Sequence, residues 1–224
     1  MTIHHIDDPA MATGDTTGLL DAIPAPDHCG LADLPADSDM AMAIEGLRAA
    51  LRLAGVDPDE PRVADTPSRV IRALVAACDR SRLDDPAILL AAQFRAETLG
   101  DVPMAVPVIV GPVPFTSLCE HHLLPFRGSA FLGYIPLPDS GAYVGLSKLA
   151  RLVTWHTRSM GMQERFTTAI LADLCTHLKP AAAAVKIKAE HTCMTCRGAS
   201  AEGALTTTWL ICGSAGADLL AQMN

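Results

Sequence analysis

The segment 185–197 constrains the fold most strongly, because its residues alternate between two faces. One face carries, in order, Val185, Ile187, Ala189, His191, Cys193, Thr195 and Arg197. The other face carries Lys186, Lys188 and Glu190. Since successive side chains of a β-strand point to opposite faces, the pattern predicts a strand with one side against a core. It also predicts that His191, Cys193 and Arg197 point into one pocket.

Helical and extended patterns surround this strand. Helical spacing of apolar residues covers five segments. One of them begins at Thr66-Pro67, and the other four are 39–53, 86–97, 147–157 and Gln163–Leu178. Strand-like runs cover 104–115, 129–135 and Leu205–Cys212. The first run contains Pro107, Pro112 and Pro114, residues that belong at sheet edges or bulges. This order predicts a layered α+β fold in which a helical pair packs on a sheet.

The chain length suits one domain with an arm. Half of the 224 residues are apolar, which is enough for a sizeable core. Residues 1–36 mix Asp, Pro, Gly and Thr without a sustained period, which predicts a flexible N-terminal arm. Residues 37–224 are expected to form the folded domain.

Charge and cysteine content exclude several classes of protein. A formal net charge of −8 disfavours binding to nucleic acid or to anionic membranes, which select for basic surfaces. The sequence has no apolar stretch that could span a bilayer and no signal-peptide pattern at its start, so we expect a cytoplasmic protein. Seven cysteines, an odd number, indicate reduced thiols with one or two metal ligands.

Two segments supply candidate metal ligands. In Cys119-Glu120-His121-His122 a thiolate and an imidazole stand three residues apart, a spacing that lets one turn aim both at one metal ion. Adding Cys193 gives a Cys–His–Cys set, one ligand short of closed tetrahedral zinc. An open fourth position is typical of catalytic zinc, which lowers the pKa of water from about 15.7 toward about 7.

The alternative is a purely structural zinc closed by Cys196. Positions 193 and 196 fall on opposite faces of a continuing strand, which disfavours that alternative unless a turn at Gly198 intervenes. His121 and His191 flank the ligands. A lone histidine is more often packed or solvated, but two histidines beside metal ligands favour proton transfer, because imidazole titrates near neutral pH.

A candidate phosphate site lies at 145–151, with the sequence GLSKLAR. The start of a helix favours an anion, and Ser147, Lys148 and Arg151 would reinforce that preference. An ordinary solvated helix face is the alternative. In an acidic chain with another cation, Arg197, beside the metal strand, a polyphosphate clamp is the favoured interpretation.

Gln163 and Glu164 begin the following helix. Glu164 is either a first-turn acid that stabilises the helix dipole or a carboxylate that accepts hydrogen bonds from paired N–H donors of a ligand.

Four segments, in chain order, resemble the signatures of the GTP cyclohydrolase I family: SLCEHHLLPF at 117–126, GLSKLAR at 145–151, QERFT at 163–167 and HTCMTCRG at 191–198. The resemblance covers about residues 40–213. It implies that Cys119, His122 and Cys193 hold zinc and that His121 and His191 are the acid–base pair.

The same resemblance implies the substrate contacts. Glu164, with Gln163 beside it, would read guanine. The ribose-triphosphate side would be bound by Ser147, Lys148, Arg151 and Arg197. Arg69 and Arg72 match basic positions on the family's TPxR helix.

The resemblance also implies the assembly. The family has the tunnelling fold, in which α+β subunits form a pentameric β-barrel and two rings stack into a decamer with active sites at subunit interfaces. Two departures put ring packing and regulation in question. Gly111-Pro112 replaces an Arg-Asp pair, and the tail after Cys212 lacks the usual basic, Phe-containing ending.

The implied reaction is zinc-dependent hydrolysis of GTP to 7,8-dihydroneopterin triphosphate and formate, the first step of pterin and tetrahydrofolate synthesis. Water adds to C8 while a histidine protonates N7, a second hydrolysis releases formate, and the ribose rearranges and recloses. Two alternatives stay open: a paralogue of the same fold with a different purine ring-opening product, and a non-catalytic ring that uses zinc only for assembly.

Overall fold

The computed structural model describes residues 38–95, 105–138 and 142–224, so the predicted arm at 1–36 lies outside the described residues. The chain divides into two compact units, Met1–Arg72 and Ala73–Asn224. The helices are α1 (Ser38–Leu53), α2 (Thr66–Cys78), α3 (Pro86–Ala91), α4 (Leu146–Thr157), α5 (Gln163–Leu178), α6 (Thr192–Thr195) and α7 (Gly216–Ala221). The strands are β1 (Gln93–Arg95), β2 (Val108–Cys119), β3 (Pro125–Ile135), β4 (Ala142–Val144), β5 (Met160–Gly161), β6 (Ala182–His191) and β7 (Leu205–Cys212). None of the described helices is long and apolar enough to cross a membrane.

The first unit contains α1 and the loop after it. Gly55 ends the helical turn with a φ of 78°, a conformation that favours glycine. Arg48 of α1 forms an ion pair with Asp59 in the following loop, and its Nη1 donates to the Pro58 carbonyl. α2 then begins at Thr66 with Pro67 in its first turn, as the sequence predicts.

Five strands form the main sheet of the second unit, in the order β5-β2-β3-β6-β7. The pairs β2–β3, β3–β6 and β6–β7 are antiparallel. The short β5 runs parallel to the end of β2, with Leu118 opposite Met160 and Cys119 opposite Gly161. β1 and β4 form a separate antiparallel pair.

The main core lies between the sheet and the helical pair α4–α5. It is built from buried residues that include Phe126, Tyr134, Leu149, Leu152, Ile170, Leu174, Val185 and Ile187. On β6 the alternate residues Ala182 and Ala184 belong to a second cluster with Leu219 and Met223 of the C-terminal segment. The sheet is therefore covered on one side by α4 and α5 and partly on the other by α7, a helix that the sequence patterns did not predict.

The pairing of β2 with its neighbouring strands explains how it accommodates prolines. The strand occupies 108–119 rather than the predicted 104–115, and its register with β3 shifts between Val110 and Val113. Gly111-Pro112 is a cis peptide bond at this bulge. β5 pairs only with Leu118 and Cys119, so over Pro112 and Pro114 β2 has no second strand partner among the described residues. Pro112 lies at the bulge and Pro114 on the stretch without a second partner strand, which confirms for these two the prediction that the prolines belong at edges or bulges, whereas Pro107 precedes the strand.

Two further predicted elements were wrong in extent. The helix predicted at 86–97 ends at Ala91, because Ala92 has a ψ of 73° and Gln93–Arg95 then pairs with β4. The strand predicted over 185–197 ends at His191, after which Thr192–Thr195 forms a short helix. The alternation of Cys193, Thr195 and Arg197 therefore does not place them on one strand face.

Candidate active site

A tight loop between β2 and β3 holds the first two candidate ligands. The Cys119 N–H donates to the Leu124 carbonyl at 2.9 Å, and the Leu123 N–H donates to the Cys119 carbonyl at 2.8 Å. Leu123 adopts a φ of 56°, so the backbone turns sharply here. The turn places Cys119 Sγ 3.6 Å from His122 Nδ1.

Cys193 completes the group from the other side of β3. Its Sγ, the Cys119 Sγ and a ring nitrogen of His122 all lie within 4.8 Å of one another. A tetrahedral zinc ion with bonds of about 2.3 Å to sulfur and about 2.0 Å to nitrogen separates such ligand atoms by roughly 3.6 Å. Two soft thiols and one imidazole are donors that suit zinc. The donor set and its spacing therefore fit that metal.

The pKa of Cys193 depends on its surroundings. Burial raises the pKa of Cys193, the adjacent Cys119 raises it further, and Arg197 opposes both effects. Two thiolates this close repel one another, so a cation between them would favour the deprotonated pair.

Cys196 stays outside this group. It is exposed, and its N–H donates to the Thr192 carbonyl at 3.0 Å, which closes the α6 turn. The argument from opposite strand faces was wrong, because the strand has already ended. The helical turn itself keeps Cys196 out of the ligand group found among the described residues.

His191, the last residue of β6, is held on two sides. Its ring stacks on Phe126, with centroids 4.4 Å apart and planes 6° apart. Its Nε2 lies 2.8 Å from Gln163 Oε1. Burial lowers the pKa of His191, and the negative charge of Glu164 partly offsets this effect.

His121 lies in the ligand loop itself and is exposed. Its ring centroid is 6.2 Å from that of His122. The two predicted acid–base histidines therefore differ in surroundings, since one is exposed on a loop and the other is packed at a strand end. His121 directly precedes the candidate ligand His122, and His191 lies two residues before Cys193.

Glu164 and Gln163 are neighbours in sequence with different environments. Gln163 is buried with 1% exposure, whereas Glu164 is exposed. Glu164 borders a pocket of about 340 Å³ whose other lining residues are Thr167, Thr168, Thr208, Trp209 and Leu210. That volume lies at the lower end of the range for small-molecule sites.

The candidate phosphate residues lie at the start of α4. Gly145 is its N-cap and offers no side-chain cap, so the first backbone N–H groups keep their capacity to bind an anion. Ser147 and Arg151 are exposed, and Lys148 is half-buried. Within the described ranges, Lys148, Arg151 and Arg197 have no ion-pair partner. Arg197 is close enough to the ligand group to lower the Cys193 pKa.

Arg69 and Arg72 lie on α2, within the first unit. Arg69 pairs with Asp65 at 2.9 Å, and Arg72 is exposed.

Sequence reasoning missed two contacts around the ligand loop. Glu120 Oε2 lies 3.3 Å from Arg165 Nη1, and the Glu120 N–H donates to the Gly161 carbonyl. These contacts fasten the ligand loop to β5 and to the first turn of α5. No local pattern could have found them, because the partners are about 40 residues apart.

Comparisons with known proteins agree with these observations. The family model described as GTP cyclohydrolase I matches residues 43–223. The chain is 38% identical over 175 residues to GTP cyclohydrolase 1 of Mycobacterium leprae (strain Br4923), which covers 78% of this chain and 82% of that protein. It is 39% identical over 180 residues to GTP cyclohydrolase 1 of Thermobifida fusca (strain YX), covering 80% and 83% of the two chains.

Proposed function

The chain belongs to the GTP cyclohydrolase I family, and from that premise we propose that it hydrolyses GTP in a zinc-dependent reaction to 7,8-dihydroneopterin triphosphate and formate. The observation that carries the proposal is the Cys119–His122–Cys193 group, with a candidate proton-transfer histidine beside it in each segment. We place the reaction at the start of pterin and tetrahydrofolate synthesis, in the cytoplasm.

Cys119, His122 and Cys193 would hold the metal and leave its fourth position open. When bound, zinc supplies the Lewis acidity that brings the pKa of water toward about 7. His121 and His191 move protons at the imidazole ring of guanine, where water adds to C8 and N7 is protonated. A second hydrolysis releases formate, and the ribose then rearranges and recloses.

Glu164 anchors the base. Its exposed carboxylate borders a pocket and can accept hydrogen bonds from N1–H and the 2-amino group of guanine. The negative charge of Glu164 also acts on His191, which supports a base position next to the proton-transfer group. A carboxylate that pairs with two donors on one edge distinguishes guanine from bases that lack them.

Ser147, Lys148, Arg151 and Arg197 bind the ribose-triphosphate. The uncapped start of α4 supplies backbone N–H groups, and three cations without ion-pair partners in the described ranges supply charge. Arg69 and Arg72 on α2, in the first unit, are proposed as further substrate-binding residues. Because phosphates need several fixed donors, these residues govern KM more than the chemical step.

The assembly we propose is the tunnelling fold, with subunits joined into a β-barrel ring and two pentamers in a decamer. β7 is the edge strand of the five-stranded sheet. Four of its residues are exposed apolar side chains: Leu205, Trp209, Leu210 and Ile211. An exposed apolar edge strand favours pairing with another copy of the chain. Residues 1–36 are proposed to be an arm outside the catalytic domain.

The decisive experiment incubates the purified, zinc-loaded protein with GTP and quantifies formate together with the fluorescence of the oxidised neopterin product. We expect equal amounts of both from the wild type and neither from Cys193→Ser. Formate without neopterin would instead identify a paralogue with a different ring-opening product. Neither product from a zinc-containing wild type would refute catalysis and leave a ring in which zinc serves assembly.

His121→Ala separates catalysis from assembly. We expect it to keep its zinc and oligomeric state while losing about 10²–10⁴ in turnover, the usual contribution of a general acid or base. An unchanged rate would remove His121 from the mechanism.

A further inference from the structure

The buried amide of Gln163 is held in one orientation. Its Nε2 lies 3.0 Å from the Ile187 carbonyl, 3.1 Å from the Thr206 carbonyl and 3.1 Å from Thr208 Oγ1. Backbone carbonyls can only accept hydrogen bonds, so the NH₂ end of the amide must face β6 and β7. The oxygen end must then face the opposite way, and exchanging the two ends would set an oxygen against two carbonyls.

That oxygen faces His191. Gln163 Oε1 lies 2.8 Å from His191 Nε2, and because an amide oxygen can only accept, Nε2 carries the hydrogen. In the neutral imidazole, Nδ1 is then the nitrogen with the free lone pair. The stacked ring of Phe126 fixes the plane of the imidazole as well. Tautomer and orientation of His191 are therefore both set by its neighbours.

The position of Gln163 adds to this constraint. It is the first residue of α5, and its own carbonyl accepts from Thr167 Oγ1 at 2.9 Å. Thr167 Oγ1 in turn lies 2.6 Å from Thr208 Oγ1. The amide has protein partners at both ends and 1% exposure, so no part of it is available to a base in the pocket beside Glu164.

We propose that Gln163 is a positioning residue for His191. Gln163 acts on GTP hydrolysis by holding the imidazole of His191 as the Nε2–H tautomer and not by contacting guanine. The inference rests on the proposed function, because it requires His191 to transfer protons during the reaction. A partner that fixes the tautomer and aim of a proton-transfer histidine contributes to turnover rather than to substrate binding.

The test compares kinetics of the full-length, zinc-loaded protein with GTP. Gln163→Met keeps the length of the side chain but removes the amide, and it is made in the wild type and in His191→Ala. We expect Gln163→Met to lower kcat by about 10-fold or more with KM for GTP within about threefold. In the His191→Ala background the same change should alter kcat by less than about twofold, because its target is gone.

Two controls accompany this comparison of the single and double variants. Gln163→Glu keeps an oxygen acceptor for His191, and its second, protonated oxygen can donate to a backbone carbonyl, so kcat should stay within about threefold of the wild type. Glu202→Gln changes an exposed carboxylate in the loop before β7; it is the second control and should leave kcat unchanged. Zinc content and oligomeric state are measured for every variant.

The proposal is overturned if Gln163→Met raises KM and leaves kcat unchanged, since that result identifies a guanine contact. It is also overturned if the loss in kcat is as large without His191 as with it. Should Gln163→Met not assemble, Gln163→Glu decides, and a kcat loss as large as that of His191→Ala overturns the proposal. A wild type that releases no formate refutes the proposed function itself. An active wild type in which the effects of Gln163→Met and His191→Ala on kcat are independent refutes only the role of Gln163.

Discussion

The Nε2 atom of His156 on α4 lies 2.6 Å from Oδ2 of Asp173 on α5, which joins the two helices of the pair. Burial lowers the pKa of His156 below its usual 6.5, and the hydrogen bond and charge of Asp173 offset only part of that effect. The folded protein therefore holds His156 neutral, with its N–H donated to the carboxylate.

This pKa shift predicts a loss of stability in mild acid. Below pH 6.5 the unfolded chain protonates His156 more readily than the folded chain does. The contribution of neutral His156 to the free energy of unfolding is therefore complete above that pH and is lost as the pH falls toward the lowered pKa. His156→Gln should flatten the dependence of stability on pH between pH 7.5 and 5.5, with stability measured as the midpoint of urea unfolding. An equally steep dependence in the variant would assign it to other groups.

Metal content should distinguish the two cysteines of the α6 turn. Cys193→Ser removes one of three donors and should release most of the zinc, measured by elemental analysis after gel filtration. Cys196→Ser changes an exposed thiol outside the group and should retain full zinc occupancy. Loss of zinc in both variants would make Cys196 a fourth ligand and the site a closed one.

Replacing Glu164 should weaken the binding of guanine. Glu164→Gln replaces one accepting oxygen by a donor, so KM for GTP should rise by roughly 10- to 100-fold, as expected for hydrogen bonds to a charged group. Zinc content should not change, because Glu164 is not in the ligand group. Glu202→Gln, at an exposed carboxylate in the loop before β7, is the matched control and should leave KM unchanged. Equal effects of the two substitutions would refute the proposed role.

Two glycines should respond to alanine in opposite directions. A Cβ on Gly128 would lie 2.0 Å from the Lys188 carbonyl and 2.6 Å from the Ala189 Cα, so Gly128→Ala must force β3 and β6 apart and lower the melting temperature strongly. A Cβ on Gly46, inside α1, meets nothing within 4 Å. Gly46→Ala should therefore stabilise the protein by about 0.5–1 kcal/mol. Thermal unfolding of both variants checks this, and a neutral Gly128→Ala would contradict the close approach of the strands.

The elements that could be predicted from the sequence are those in which apolar residues recur with a clear helical or strand period. Gln163–Leu178 and Leu205–Cys212 have the predicted bounds because their patterns and their flanking Pro180 and Gly213 agree. The strand through 185–197 fails at Thr192, whose Oγ1 donates to the carbonyl of Pro125, 67 residues away. A local pattern cannot contain that contact.

The candidate site divides in the same way. The Cys–His spacing at 119–122 predicts that these two side chains share a turn, and they do. Cys193 also reaches the group as predicted, but by a helical turn instead of a strand face. The contact between Gln163 and His191 depends on how α5 sits on β6 and β7, and is invisible in either segment alone.

The two-residue strand β5 has a consequence for how this chain tolerates insertions. It pairs Gly161 with Cys119, and the residues just beyond it begin the helix that carries Glu164. One added residue between Arg158 and Gln163 would displace α5, and with it the proposed base-binding carboxylate, relative to the candidate metal ligand Cys119. In the largely exposed turn at 198–203 the Ala201 N–H donates to the Met194 carbonyl of α6, and the residues after Ala201 can lengthen without breaking that contact. Length variation among functional relatives should therefore collect in that turn and avoid the short segment between α4 and α5.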